Sequence, residues 1–410
     1  MTITLLKSKL SNKQSKIQIT GSKSESNRLL LIQAIYSQLK LENISNSDDS
    51  NLMTAALRSN SKIIDIHHAG TAMRFLTAFF SIQEGNEVVL TGSKRMKERP
   101  IKILVEALHD LGANITYLEN EGYPPIKIKG NKLIKNKVSL KANVSSQYIS
   151  ALLLIASKLK NGMELTLEGT ITSIPYIKMT LSLLNEIGIE TAFHNNVISV
   201  KPITSKIKPV TLTVESDWSS ASYYFSIIAL ANLDTEIILT SYKANSLQGD
   251  SVLVDIYKQF GVETTFSNNS IILKKVSTVN QTIPMAFDLT NSPDIAQTIA
   301  VTCFALGVAC NLTGLHTLKI KETDRLVALK TEIEKLGGKV VITDKSLHLS
   351  NSNTINEGVS IATYNDHRMA MAFAPLALKV PIKIEDATVV SKSYPTFWDD
   401  LQSIGFIITE

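Results

Sequence analysis

A junction in which a helix-like run ends at glycine and a strand-like run follows occurs five times along this chain: ALHDLGANITY, LLNEIGIETAF, IYKQFGVETTF, IEKLGGKVVIT and LQSIGFIIT. The glycines are Gly112, Gly188, Gly261, Gly337 and Gly405, at separations of 76, 73, 76 and 68 residues. Glycine just past a helix end takes the left-handed conformation without steric cost, so its recurrence marks helix ends. A degraded copy, LMTAALRSNSKIIDI, lies near Asn60. A second series runs in phase with the first. Apolar helical runs open with polar heads at Asn27 and Arg28, at Arg74, at Ser145 to Gln147, at Ser219 and Ser220, at Asp294, and at His367 and Arg368. From Arg74 through Gln147, Ala221 and Asp294 to Arg368 the steps are 73, 74, 73 and 74 residues. Six mixed copies in 410 residues predict an α/β chain, α+β by some schemes, with two similar domains of three units each.

The repeat carries a chemical consequence. Helix N-termini bear partial positive charge and free N–H groups, so several polar helix starts facing one cleft form an anion site. The cations support this. Of 42 basic residues only seven are arginine: Arg28, Arg58, Arg74, Arg95, Arg99, Arg325 and Arg368. In a chain that relies on lysine for solvation, scarce arginines are the first places to seek a fork for phosphate or carboxylate.

Composition removes several classes. Hydrophobic residues are 44% and charged residues 19%, enough for a sizeable core. The start, MTITLLKSKLSNKQSK, has no apolar stretch of signal-peptide type, and runs such as residues 151–156 are far too short to span a bilayer. These features predict a cytoplasmic protein. Cys303 and Cys310 share one apolar run. On a single helix their rise would separate them by about 10 Å, too far for a disulfide, so they read as core thiols. The net charge of +5 is scattered along the chain. No metal-ligand spacing and no GxGxxG occur, so neither metal nor dinucleotide cofactor is expected.

Six motifs hold the remaining chemistry. GSKSESNR (21–28) places a glycine, hydroxyls, Lys23 and Arg28 before a helix, without the Walker A spacing. HAGTAMR (68–74) offers backbone approach at Gly70 and a buried Arg74 that needs a partner. KRMKERP (94–100) has four cations in six residues. In KETDRL (321–326), Lys321 and Arg325 at i,i+4 would share one helix face, where like charges welcome an anion. Glu322 beside them could move protons, or pair at i,i+3 with Arg325. NDHR (365–368) opens the last apolar helix, and SKSYP (391–395) carries Lys392. Six of the seven arginines fall in these motifs, which points to small polyanionic substrates, with Asp294 and Glu322 as acid/base groups.

Taken together, GSKSESNR, AGTAMR, RMKERP, VSSQ, SASYY, KETDRL, YNDHRMAM and SKSYP, in that order, resemble the 5-enolpyruvylshikimate-3-phosphate synthase family over residues 20–395. The resemblance implies two domains of three βαβαββ units in an inside-out barrel, residues 1–20 with 216–410 and residues 21–215, with the active site in the cleft between them. It implies transfer of the enolpyruvyl group of phosphoenolpyruvate to the 5-hydroxyl of shikimate 3-phosphate through a tetrahedral intermediate, without cofactor or metal, by a monomer. By the same resemblance Asp294, Glu322 and Lys23 would be catalytic. Lys23, Ser24, Arg28, Ser145, Ser146, Gln147, Ser173, Asp294 and Lys321 would bind shikimate 3-phosphate, with Tyr176 beside its ring. Lys23, Gly70, Arg99, Gln147, Arg325, Arg368 and Lys392 would bind phosphoenolpyruvate. His68, Phe75, Thr317 and Lys319 depart from the family pattern.

Two rival readings stand beside it. The sister enolpyruvyl transferase that acts on UDP-N-acetylglucosamine uses a cysteine in the loop matching residues 94–100, and this chain has none there. A basic nucleic-acid-binding module would need clustered lysines and exposed aromatics, whereas aromatics are 6% of this chain.

Overall fold

The computed structural model describes residues 1–11, 13–141, 145–169, 171 and 174–410. They form two compact units, residues 1–21 with 215–410 and residues 22–214. Each unit holds three sheets. Five of the six sheets have four strands and one design, a parallel pair extended by two antiparallel strands, which form a hairpin in four of them. In the unit of residues 22–214, Ile63–Asp65 runs parallel to Glu87–Thr91, which pairs with Ile126–Lys129 and through it with Asn114–Tyr117. The helix Gly70–Ser81 joins the parallel strands and Lys102–Leu111 leads into the hairpin, completing a βαβαββ unit.

The sixth sheet has only two strands, Leu39–Glu42 and Val210–Thr213 in parallel register. This is the degraded copy seen in the sequence. Its second helix, Asp48–Arg58, ends at Ser59 with φ −77°, so no left-handed turn starts a hairpin. Strands distant in sequence complete two copies. Gln14–Ile17 joins the sheet of Glu236–Thr240, and Ile3–Leu5 lies between Ile382–Ile384 and Ile408–Thr409.

All five repeat glycines have positive φ, from 73° at Gly261 to 112° at Gly405. Gly261 has a second constraint: a Cβ there would stand 2.0 Å from the Ser277 carbonyl oxygen.

The first helix of each of the five other copies is predominantly apolar and lies in the interior of its unit. Trp218–Leu230, Ala296–Leu306 and His367–Phe373 are buried over almost their whole lengths, as are Gly70–Ser81 and Ser146–Ala156. Where these helices meet, hydroxyls satisfy one another. Ser222 Oγ lies 2.9 Å from Thr298 Oγ1, and Thr302 Oγ1 donates to Ser226 Oγ at 2.8 Å. Buried hydroxyls paired this way avoid the desolvation penalty of an orphaned group.

The cysteine expectation needs correcting. The helix stops at Gly307, which adopts the left-handed conformation, and Cys310 opens the strand Cys310–Thr313. The chain therefore doubles back after the helix, and both thiols are free and buried in the core.

Candidate active site

In the unit of residues 22–214 three helix starts lie level. Arg28, Phe75 and Ser150 each sit in the second turn of their helices. Arg28 Nη2 donates to Ser150 Oγ at 2.9 Å, and its guanidinium lies 5.4 Å from the Phe75 ring centre. Contact at the same turn in all three brings their N-termini to one end, where N–H groups and dipoles favour anions. Arg28 is buried among neutral acceptors: Thr180 Oγ1 at 2.8 Å, the Ser24 carbonyl at 2.7 Å and the Tyr176 carbonyl at 3.3 Å. Burial pushes its guanidinium down to about 10, against the favourable fields of Tyr176 and Glu25.

Lys23 begins the first of these helices, and its Nζ lies 3.4 Å from Asp49 Oδ2. His68 Nε2 lies 3.6 Å from the other oxygen of Asp49. Ser24 follows Lys23 in the first turn. Ser145 caps the helix Ser146–Ala156 by accepting from the Gln147 N–H at 3.3 Å, and the Gln147 amide donates to Thr71 Oγ1 at 3.1 Å. Ser146 is buried at that helix start.

Arg99 follows the short helix Lys94–Lys97. The Pro100 carbonyl next to it is held twice, by Arg74 Nη2 at 2.9 Å and by the Tyr148 hydroxyl at 2.6 Å. Arg74 is thus a structural arginine, which also donates to the Gly70 carbonyl, touches Met96 Sδ and lies over the Tyr148 ring. Burial and the neighbouring Arg99 push it down to about 10. The Arg99 guanidinium lies directly over Gly70, where a Cβ would stand 2.5 Å from Nη1. A side chain at position 70 would therefore displace the Arg99 guanidinium from this place. Ser173 lies outside the described residues.

In the other unit the centre is Asp294, on the one-turn helix Pro293–Ile295. Its Oδ1 lies 2.8 Å from Arg325 Nη1 and 3.4 Å from Lys321 Nζ. Its Oδ2 lies 3.3 Å from Arg368 Nη2. Burial opposes ionisation of Asp294, but Lys321, Arg368 and Arg325 outweigh it and hold its carboxyl well below the usual carboxylate range. Arg325 is 1% exposed and also meets Asp366 Oδ2 at 2.6 Å and Glu322 Oε2 at 2.7 Å. Burial works against its charge, yet Asp366, Glu322 and Asp294 raise its pKa further above its ordinary value.

The helix Arg325–Lys335 begins only at Arg325, because Asp324 caps it by accepting from the Leu326 and Val327 N–H groups. Lys321 ends the preceding one-turn helix His316–Ile320. The expected shared helix face of Lys321 and Arg325 is therefore absent; Asp294 brings the two cations together. The Glu322–Arg325 i,i+3 pair does form, with Arg325 in the interior rather than at the surface.

Asp366 caps His367–Phe373 by accepting from the Arg368 N–H at 2.9 Å, and so holds both arginines. Lys392 donates to the Asn365 carbonyl at 2.7 Å and to Asn365 Oδ1 at 2.6 Å, which ties it to the same loop. Asp294, Lys321, Glu322, Arg325, Arg368 and Lys392 are thus one connected cluster. Of the departures noted in the sequence, Lys319 pairs with Asp344, and Thr317 Oγ1 is buried.

Several members were not legible in the sequence. Asp49 is a carboxylate in an acidic turn sequence that looks solvated. Ser219 Oγ accepts from Arg368 Nη2 at 3.2 Å, and Ser219 in turn donates to the buried Asp250. Among the described residues no group of three or more His, Cys, Asp or Glu side chains is placed to hold a metal ion. Among them, too, no helix is long and apolar enough to cross a membrane.

The sequence profile of EPSP synthase (3-phosphoshikimate 1-carboxyvinyltransferase) matches residues 58–401. The 3-phosphoshikimate 1-carboxyvinyltransferase of Bacteroides fragilis is 46% identical over 395 residues, covering 95% of each chain. The chain belongs to the EPSP synthase family. The protein of the same name from Histophilus somni is 35% identical over 431 residues, covering 97% of this chain and 98% of its own. Among solved structures, EPSP synthase from Acinetobacter baumannii superposes over 100% of this chain and 99% of its own, with a TM-score of 0.81 at 20% identity. The enolpyruvyl transferase NikO from Streptomyces tendae gives a TM-score of 0.75 at 14% identity, covering 100% of this chain and 98% of its own. At such identities the structural likeness speaks for the fold, which is the two-unit α/β fold of enolpyruvyl transferases.

Proposed function

We propose that the anion-binding groups of both units serve one reaction. The chain transfers the enolpyruvyl group of phosphoenolpyruvate to the 5-hydroxyl of shikimate 3-phosphate and releases phosphate. The observation that carries the assignment of roles is Asp294 ringed by Lys321, Arg325 and Arg368. Such a cluster holds an anion and places a carboxylate beside it.

In the first step the 5-hydroxyl oxygen bonds to C2 of the enol while C3 gains a proton. In the second, the tetrahedral intermediate loses phosphate and a proton leaves C3, restoring the double bond. Asp294 is the base toward the hydroxyl, and Glu322 with Lys23 handles the proton at C3. Ringed by cations, Asp294 is a weak base. When Arg325, Arg368 and Lys392 turn to the phosphate and carboxylate of phosphoenolpyruvate, that field is shared and Asp294 gains basicity. Arg99 over Gly70 supplies a further cation to the same substrate. Lys23, Ser24, Arg28, Ser145, Ser146, Gln147, Ser173 and Lys321 hold shikimate 3-phosphate. In this reading the domains are residues 1–20 with 216–410 and residues 21–215, both contribute to one site, and the protein is a cytoplasmic monomer.

Phosphate release requiring both substrates tests the proposal. Release with UDP-N-acetylglucosamine in place of shikimate 3-phosphate would instead identify the sister transferase. Salt-dependent retention of nucleic acid without phosphate release would identify the binding module.

A further inference from the structure

Asp250 lies on the one-turn helix Gly249–Val252, outside every motif that the sequence marks as catalytic. It is 2% exposed, and its Oδ1 has no hydrogen-bond partner among the described residues. Its Oδ2 accepts the proton of Ser219. A serine hydroxyl has one proton and two lone pairs. With the proton committed to Asp250, the lone pairs face Arg368, whose Nη2 donates to Ser219 Oγ at 3.2 Å and reaches Asp294 Oδ2 at 3.3 Å. The result is a relay, Asp250–Ser219–Arg368–Asp294, with a buried carboxylate at its far end.

Burying a carboxylate with one oxygen unpaired is expensive, and a purely structural position would be better filled by a neutral side chain. We infer that Asp250 is a positioning residue whose negative charge, passed through Ser219, holds Arg368 toward its own unit and so sets how readily Arg368 accepts an anionic substrate. The inference rests on the reading that Arg368 receives phosphoenolpyruvate.

The charge is also poised to change. The groups facing Asp250 are Asp294, Asp217 at the cap of Trp218–Leu230, and Arg368. Burial and the repulsion of Asp294 push the Asp250 carboxyl up to about 7, with Arg368 and the Ser219 hydrogen bond opposing. Below neutrality Asp250 is protonated and Arg368 loses one counter-charge. Above neutrality the carboxylate competes with the incoming anion. Affinity for phosphoenolpyruvate therefore falls as the pH rises through neutral.

The test is steady-state phosphate release by the full chain, with phosphoenolpyruvate varied at saturating shikimate 3-phosphate, for wild type and Asp250→Asn. The second ionisation of the phosphate itself, near pH 6, is common to both proteins and cancels in the ratio of their KM values. The wild-type/variant KM ratio is expected to rise from about 1 at pH 5.5 to about 3–10 at pH 8.5, the scale of one buried charge acting across a hydroxyl. Asp250→Ser removes the same charge from a smaller side chain and serves if the asparagine variant does not fold. A ratio that is flat or falls with pH, in an active enzyme, overturns the inference alone. Absence of phosphate release from wild type at every pH overturns the reading on which it rests, and the inference with it.

Discussion

Asp294 is held by Lys321, Arg325 and Arg368, so removing its charge leaves three cations facing one another. Asp294→Asn and Glu322→Gln are each expected to lower turnover by about two orders of magnitude or more, the usual scale for acid/base groups. Measured phosphate release within a few-fold of wild type in both variants would refute the assigned roles. Gly70→Ala tests a different contact. Its methyl group would stand 2.5 Å from Arg99 Nη1, so the guanidinium must move. The expected outcome is a raised KM for phosphoenolpyruvate with little change in that for shikimate 3-phosphate; equal effects on both would contradict it. Asp250 makes a prediction for stability. Its raised pKa means that the folded chain keeps this proton to higher pH than the unfolded chain does. Its contribution to stability therefore falls as pH rises from about 4 to about 7 and stays low above that. Asp250→Asn should then melt higher than wild type at about pH 8 and no higher at about pH 4, as read by thermal unfolding. The arginines and Asp294 were legible in the sequence because a charge within an apolar run demands explanation. Asp49 and Asp250 were not. They act on cations far away in the chain, and nothing in SNSDDS or NSLQGDS distinguishes a buried partner from a solvated turn.

At the level of elements, the glycine series was legible because each junction needs a left-handed residue, a demand that few side chains meet. The prediction here is a contrast. Gly261→Ala meets both φ 73° and a Cβ 2.0 Å from the Ser277 carbonyl, whereas Gly188→Ala meets φ 87° in open space. Gly188→Ala is expected to cost about 1–2 kcal/mol, the left-handed penalty alone. Gly261→Ala is expected to cost clearly more, and urea unfolding of the two would settle the order. Other features needed the structure. The extent of the helix after Lys321 depends on Asp324 as its cap, which periodicity did not reveal. The placement of Cys303 on a helix and Cys310 on the next strand depends on the turn at Gly307. The strands Ile3–Leu5 and Gln14–Ile17 complete copies hundreds of residues away, and short strands carry no signal for such a partner.

For the whole molecule, the six-copy pattern foretold an α/β chain built of similar units. The two-stranded sheet explains why the first copy looked eroded: it lacks the antiparallel pair of strands that completes the other five sheets. Residues proposed to act on one pair of substrates come from both units, Lys23, Gly70, Arg99 and Gln147 from one, and Asp294, Glu322, Arg325, Arg368 and Lys392 from the other. Ligands that bind only the folded chain should raise its melting temperature by mass action. Shikimate 3-phosphate is expected to do so and phosphoenolpyruvate to raise it further; no shift with either would count against a site for two ligands. The most direct measurement is phosphate release by the wild-type chain with phosphoenolpyruvate alone, shikimate 3-phosphate alone, and both together. Release only with both, accompanied by transfer of the enolpyruvyl group to the 5-hydroxyl, is the expected result. Release that is independent of shikimate 3-phosphate, or none under any condition, would contradict it.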